Sequence, residues 1–223
     1  MEYWPGIYGL DASRLSNAYL VLGPPLTLVD TGPPGALPGL LAAIRQAGAR
    51  PEELRRIVLT HFDVDHIGNA RALQRLAGAE VCAHQDDVPY ITGAHPRPGL
   101  RRLVAAVMGR GMAPPHVDRA LQEGDSLDGL TVVYLPGHTP GHIGLRHGQV
   151  LLCGDCVVGG RRLRATPRLL TWNEELARRS IARIATLEID LLLPGHGTPV
   201  NDGSRRCAAL LEDRTASARS VHL

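Results

Sequence analysis

The 223-residue sequence contains no lysine, and all 24 of its cationic side chains other than histidine are arginine. That absence excludes Schiff-base catalysis, a pyridoxal phosphate anchor, a phosphate-loop lysine and a lysine general base. Aromatic residues contribute only 4% of the chain, so a core has to be built from Leu, Val, Ile and Ala. No apolar run approaches the roughly 18 residues that a membrane helix needs. The opening Met1-Glu2-Tyr3-Trp4-Pro5 places an acid and a proline where a signal peptide carries bases and a long apolar stretch. A net charge of +2, dispersed along the chain, is too small to argue for nucleic acid. The expectation is a cytoplasmic, soluble protein with a small-molecule substrate and neither a nucleic-acid nor a membrane partner.

Cysteine is also sparse, and Cys82, Cys153, Cys156 and Cys207 do not form a disulfide framework in a chain this long. Cys153-Gly154-Asp155-Cys156 has redox spacing. A dithiol site, however, wants its first cysteine at a helix start, where the dipole lowers the thiol pKa. Val150-Leu151-Leu152-Cys153 reads instead as a buried strand, so buried strand-end thiols are expected.

What is present is an alternation of short apolar strands and helical patterns. Strands are expected at 18–22, 26–29, 56–59, 80–83, 130–135, 143–145, 150–153 and 190–193, with a hairpin turn at His147-Gly148. Helices are expected at about 36–47, 69–77, 174–187 and 203–220, the first two closed by Gly48 and Gly78. This interleaving predicts an α/β layered protein with helices covering sheet faces. The length suits one domain over 1–223, able to bury roughly three-quarters of its unfolded surface. The irregular stretch at about 92–116 is the candidate lid or insert.

The candidate chemistry lies where strands end. After Arg56-Ile57-Val58-Leu59 comes Thr60-His61-Phe62-Asp63-Val64-Asp65-His66. In an extended segment residues two apart point the same way, so His61, Asp63 and Asp65 are expected to converge, with His66 added as a helix begins. Three more strands run into Gly137-His138, Gly154-Asp155 and Gly195-His196. Glycine there lets the backbone turn sharply and approach an ion. Histidines and aspartates at four strand ends point to metal binding.

These motifs, in this order from Asp30-Thr31-Gly32 through His61–His66, His138, Asp155 and His196, resemble the metallo-β-lactamase superfamily of metal-dependent hydrolases over nearly the whole chain. The resemblance implies a four-layered αββα sandwich with a binuclear metal centre at one edge of its sheets. It implies that His61, Asp63 and His138 hold one metal, that Asp65, His66 and His196 hold the other, and that Asp155 bridges. Asp30 matches a position that supports the metal loops. Asp65 is the implied catalytic residue, holding the nucleophile and shuttling its proton.

One position departs from the pattern. The family motif is H-x-H-x-D-H, and Asp63 occupies the place of its middle histidine. A carboxylate is a harder ligand than imidazole and shifts preference toward iron or manganese relative to zinc. A third aspartate also makes the centre less positive, so that it polarises a carbonyl less strongly. Two divalent ions are expected, zinc first, with iron or manganese admitted by Asp63. On ligand hardness alone, Asp63→His is expected to preserve folding and favour zinc.

The implied activity is hydrolysis of a small ester, thioester or lactone by a metal-activated hydroxide. The alternatives are an iron-binding redox or oxygen-handling module resembling the flavodiiron core, and a catalytically degenerate metal-binding sensor. Glyoxalase II carries a sizeable helical domain after its last histidine, whereas here 27 residues follow His196, enough for one helix.

Among the remaining residues, His142 is a candidate to orient a ligand and His84 is expected not to bind metal. His95, His116, His147 and His222 are expected on the surface. The segment 100–108 carries an apolar stripe at Leu100, Leu103, Val104, Val107 and Met108, most simply a packed helix. Its sharper reading is a lid or dimer contact in which Arg97, Arg101, Arg102 and Arg110 attract an anionic substrate. The chain is accordingly expected as a monomer or homodimer. Arg161, Arg162 and Arg164 read as a solvated run with a secondary claim on an anion.

Overall fold

The structure is a computed structural model that describes residues 1–220, with side chains described through residue 213. His222 lies outside the described residues. Two seven-stranded sheets form the centre of the fold. The first runs in chain order: β1 (Glu2–Trp4), β2 (Ile7–Leu10), β3 (Ala18–Val21), β4 (Thr27–Val29), β5 (Arg56–Leu59), β6 (Glu80–His84) and β7 (Arg119–Leu121). Its first four strands are antiparallel and β4 to β7 are parallel. The parallel crossovers carry α1 (Leu37–Gln46), the short α2 (Val64–Ile67), α3 (Ala70–Ala77), α4 (Val88–Ile91) and α5 (Leu100–Met108).

The second sheet is built from β8 (Ser126–Leu127), β9 (Leu130–Tyr134), β10 (Ile143–His147), β11 (Val150–Val158), β13 (Leu191–His196) and β14 (Val200–Asn201), with β12 (Arg164–Ala165) paired to β11. Strands β11 and β13 are parallel neighbours. Helices α6 (Glu174–Ala185) and α7 (Gly203–Ser220) complete the chain.

Alternation along the strands explains the layering. In β5, Ile57 and Leu59 pack with Leu40, Ile44 and Leu73 of the helices, while Val58 between them faces the other sheet. In β11, Val150 and Leu152 join the inter-sheet core, and Leu151 and Cys153 pack with Ile181 and Ile184 of α6. Side chains of period two therefore feed different cores from one strand. The inter-sheet core joins Ile7, Tyr19, Val29 and Val58 to Val132, Leu145, Leu152 and Leu193. The result is the expected αββα sandwich.

Three expectations change. Strand β11 runs five residues beyond the expected 150–153, because its second half pairs with β12 and β13. The short strands β1, β2, β7, β8, β12 and β14 were not anticipated. Helix α5 forms as expected, but Leu100, Leu103 and Val107 are exposed and its one buried residue is Arg101. The apolar stripe does not pack into the core.

Candidate metal centre

Strands β4 and β5 are parallel neighbours, so Asp30 and Thr60-His61 emerge together at one edge of the first sheet. Asp30 adopts a left-handed φ of 58°, a conformation that aspartate tolerates better than most side chains. Its carboxylate accepts the backbone N–H of Thr60 at 2.8 Å and the Thr60 hydroxyl at 2.7 Å. It also accepts His66 Nδ1–H at 2.8 Å. Because the Thr60 hydroxyl donates to Asp30, its oxygen accepts Nδ1–H of His61 at 2.9 Å. Asp30 thus anchors both imidazoles by Nδ1, one directly and one through Thr60, and turns the two Nε2 atoms toward the cluster. Thr60 has no spacing signal of its own, and sequence reasoning missed it.

The backbone turns helical at Val64, so Asp65 and His66 are presented from α2 while Asp63 stands at its N-cap. Convergence of His61, Asp63 and Asp65 therefore does not arise from a continuous extended segment. Opposite them, the pairing of β11 with β13 brings Asp155 beside His196. His138 arrives from the loop after β9.

Two groups of donors result. Asp155 Oδ2 lies 3.9 Å from His61 Nε2 and 3.6 Å from His138 Nε2. Asp65 Oδ2 lies 3.3 Å from His196 Nε2 and 3.8 Å from His66 Nε2. Asp155 also reaches the second group, with Oδ2 at 3.1 Å from His196 and Oδ1 at 3.4 Å from His66. The sets His61/His138/Asp155 and Asp65/His66/His196 each place one donor atom per residue close enough to hold a metal ion, as do Asp30/His61/His66. Asp63 Oδ2 adds a carboxylate 3.0 Å from His138 Nε2 and 3.6 Å from His61 Nε2.

Whether these residues fit a metal is tested by their hydrogen bonding. Among the described residues, two buried side-chain polar atoms lack a partner, His61 Nε2 and Asp155 Oδ1, and both face this cluster. Orphaned buried polar atoms are costly and rare in a folded protein, and a cation between them removes the cost. Gly195 supplies the room: a Cβ there would stand 2.2 Å from Asp155 Oδ1 and 2.7 Å from His66 Cε1. The residues fit a metal centre.

The electrostatics are those of carboxylates pressed against imidazoles. Burial opposes the charge of Asp155, but His66, His196, His61 and His138 outweigh it and hold the carboxyl well below the usual range. Asp63 behaves likewise through His138 and His61, and Asp65 less strongly through His196 and His66. Burial would depress His66, yet Asp155, Asp30 and Asp65 lift it to about 10. Asp155 and Asp65 similarly lift His196, against burial, to about 11.

The neighbours fall into place. His142 stands beside the cluster, and its Nε2 accepts the backbone N–H of Asp155. His84 lies away from it, stacked on Tyr134 with ring centroids 4.4 Å apart. Arg97 donates to the Phe62 carbonyl at 3.2 Å. Arg101 turns inward onto Asp63. Arg102, Arg110, Arg161, Arg162 and Arg164 are exposed, as are His95 and His116, while His147 is half-buried. The four cysteines are buried and unpaired, and burial raises their thiol pKa, which removes the redox reading of Cys153 and Cys156. Tyr19 Oη and Asn17 Nδ2 both donate to the Pro194 carbonyl and steady the His196 loop.

Beside the cluster lies a cavity of about 370 Å³. Asp63, Asp65, His138, Asp155 and His196 form its polar floor, Arg97 and Arg101 also line it, and Leu15, Val64, Val104, Met108 and Leu170 form apolar walls. No helix among the described residues is long and apolar enough to cross a membrane.

Comparison with known proteins agrees with this geometry. A probable metallo-hydrolase of Bacillus subtilis, YflN, is 29% identical over 87% of this chain and 85% of its own length. A hydroxyacylglutathione hydrolase of Pseudomonas putida is 31% identical over 72% of this chain and 52% of its own. The metallo-beta-lactamase family protein TTHA1429 of Thermus thermophilus superposes with a TM-score of 0.77 at 25% identity, over 98% of this chain and 82% of that one. TTHA1623, solved in a di-iron-bound form, superposes with a TM-score of 0.69 at 30% identity, over 86% and 92%. Residues 13–196, from the loop before β3 to the last histidine of the cluster, match the metallo-beta-lactamase superfamily, and the chain belongs to that superfamily.

Proposed function

We propose that this metal-dependent hydrolase holds two divalent ions, zinc in the first instance, and cleaves a small ester, thioester or lactone whose acyl part is aliphatic. His61, Asp63 and His138 would hold one ion, Asp65, His66 and His196 the other, with Asp155 between them. The observation that carries this reading is the convergence of two donor groups on Asp155, with His61 Nε2 and Asp155 Oδ1 buried and otherwise unpartnered.

When bound, two divalent ions acidify water and polarise a carbonyl oxygen. The chain supplies the rest. Asp30 and Thr60 hold His61 and His66 by Nδ1 and so turn Nε2 of each toward the cluster, where a bound metal would displace any proton on it. Asp65 borders the cavity as an ionised carboxylate, suited to take a proton from the attacking water and return it to the leaving group. The apolar walls favour an alkyl chain lying away from the polar floor. Residues 92–116 would act as a lid, since α5 brings Val104 and Met108 over the cavity. The similarity to a hydroxyacylglutathione hydrolase supports thioesters within the substrate class.

The test is elemental analysis of the purified protein followed by hydrolysis of aryl acyl esters, acyl thioesters and alkyl lactones of increasing chain length. Two ions per chain are expected, with kcat/KM rising about threefold to fourfold per methylene until the cavity is filled. Hydrolysis without chain-length preference would refute the acyl assignment, and bound metal with no hydrolysis would refute the hydrolase. The third carboxylate, Asp63, and the di-iron form of a similar protein favour a second reading, an iron-binding redox module. Two irons and no hydrolysis would establish it.

A further inference from the structure

Arg101 is an anomaly on its own helix. Its neighbours Leu100, Arg102 and Leu103 are exposed, while the arginine is 7% exposed and reaches down from α5 into the cluster. Nε donates to Asp63 Oδ1 at 2.7 Å. Nη2 donates to the carbonyls of His138 at 3.1 Å and Leu170 at 2.5 Å, and lies 3.0 Å from His138 Nε2. The guanidinium carbon sits 5.6 Å from the Phe62 ring centroid. A guanidinium does not lose its proton in a protein, so this is a permanent positive charge beside the donors of one metal position.

Such a charge repels a divalent ion. Its presence makes sense through Asp63, whose two oxygens divide their contacts. Oδ1 belongs to Arg101, while Oδ2 faces the imidazoles of His138 and His61 at 3.0 and 3.6 Å.

We propose that Asp63 and Arg101 form a single, electrically neutral donor at the metal centre. Arg101 restricts Asp63 to one coordinating oxygen and cancels its charge, so that the pair presents an oxygen ligand with the net charge of an imidazole. The charges of Asp65 and Asp155 then face the two ions as they would if residue 63 were histidine. The inference rests on the two-metal reading of the cluster. It reverses one expectation drawn from ligand hardness: Asp63→His supplies a better zinc ligand, yet strands a buried cation beside the metals.

The experiment is a double-mutant cycle in metal affinity on the full chain, using Asp63→His, Arg101→Met and the double variant. Zinc per chain is counted by elemental analysis, and each dissociation constant is read by competition with a chromogenic chelator. Arg101→Met is expected to tighten the weaker zinc site by tenfold or more, since a repelling charge is removed. Asp63→His is expected to weaken that site by at least tenfold, and the double variant to return within about threefold of wild type. Should Asp63→His fail to fold, Arg101→Met and the double variant still decide the matter. Weaker binding in Arg101→Met would mean that the arginine only props the loop, and a full-affinity Asp63→His would mean that its charge does not reach the metals. Either result overturns the pair. A wild-type protein that binds no zinc or iron would instead remove the two-metal reading itself.

Discussion

His142 accepts the backbone N–H of Asp155 on Nε2 at 2.9 Å, and its Nδ1–H donates to the Leu135 carbonyl at 3.1 Å. With an amide donor on one nitrogen and a carbonyl acceptor on the other, the ring is neutral and both nitrogens are engaged. Burial first, then His61 and His138, keep its pKa well below that of a free histidine. His142 is therefore a strut that ties the strand end at Leu135 to the backbone of Asp155, whose carboxylate faces both donor groups. Replacing it with alanine leaves a buried N–H and a buried carbonyl unpaired, which costs about 1–3 kcal/mol. His142→Ala is expected to lose that stability in urea unfolding and about 10–100-fold in metal affinity. Unchanged metal affinity at reduced stability would confine His142 to a packing role.

Gly195 separates steric from conformational causes. Its backbone is ordinary, but a Cβ would collide with Asp155 Oδ1 at 2.2 Å. Gly195→Ala is expected to fold and to lose metal occupancy and hydrolysis by at least tenfold, because Asp155 has to move. Gly23→Ala, where nothing lies within 4 Å, serves as the control. Equal metal content in the two variants would disprove the cradle.

Proton release reports on the cluster directly. In the metal-free protein the surrounding carboxylates, against burial, raise His66 to about 10 and His196 to about 11, so both carry a proton at pH 8. Metal binding displaces protons from its ligands. Calorimetric titration with zinc at pH 8 in two buffers of different ionisation enthalpy is expected to show release of about two protons per chain. A binding heat independent of buffer would show that these histidines are already neutral.

Asp87 governs a different pH window. Its carboxylate accepts the Thr139 hydroxyl and the Gly141 N–H, both at 2.7 Å, and so positions the loop that carries His138. Burial outweighs these bonds and pushes its pKa up to about 6. A carboxyl raised in the folded state contributes stability that is present below its unfolded pKa and is lost as pH rises through the folded value. Asp87→Asn is expected to gain stability relative to wild type between pH 4 and pH 7, by roughly 2–3 kcal/mol at about 1.4 per pKa unit. Urea midpoints at the two pH values check this, and a constant difference would contradict it.

Part of this protein was legible in its sequence because the relevant signals are local. Short continuous apolar runs such as Ile57-Val58-Leu59 and Leu151-Leu152-Cys153 mark buried strands wherever they end up. His61, His66, His138, Asp155 and His196 stand out because each follows a buried run within a few residues, and glycine precedes three of them. The strands β1, β2, β7, β8, β12 and β14 hold at most two consecutive apolar residues each, too few for a buried run to show.

The rest depended on contacts between residues far apart in the chain. Thr60 acquires its place from Asp30, thirty residues earlier, and His142 from Asp155, thirteen residues later. Helix α5 is the clearest instance, since its pattern marks the apolar stripe as the face to bury, and yet Arg101 is the residue that is buried. A helical period records which residues share a face, not what that face will meet. In this fold α5 meets a carboxylate 38 residues away, and Arg101 lies on the side that reaches it, because either charge left buried and unpaired would be costly.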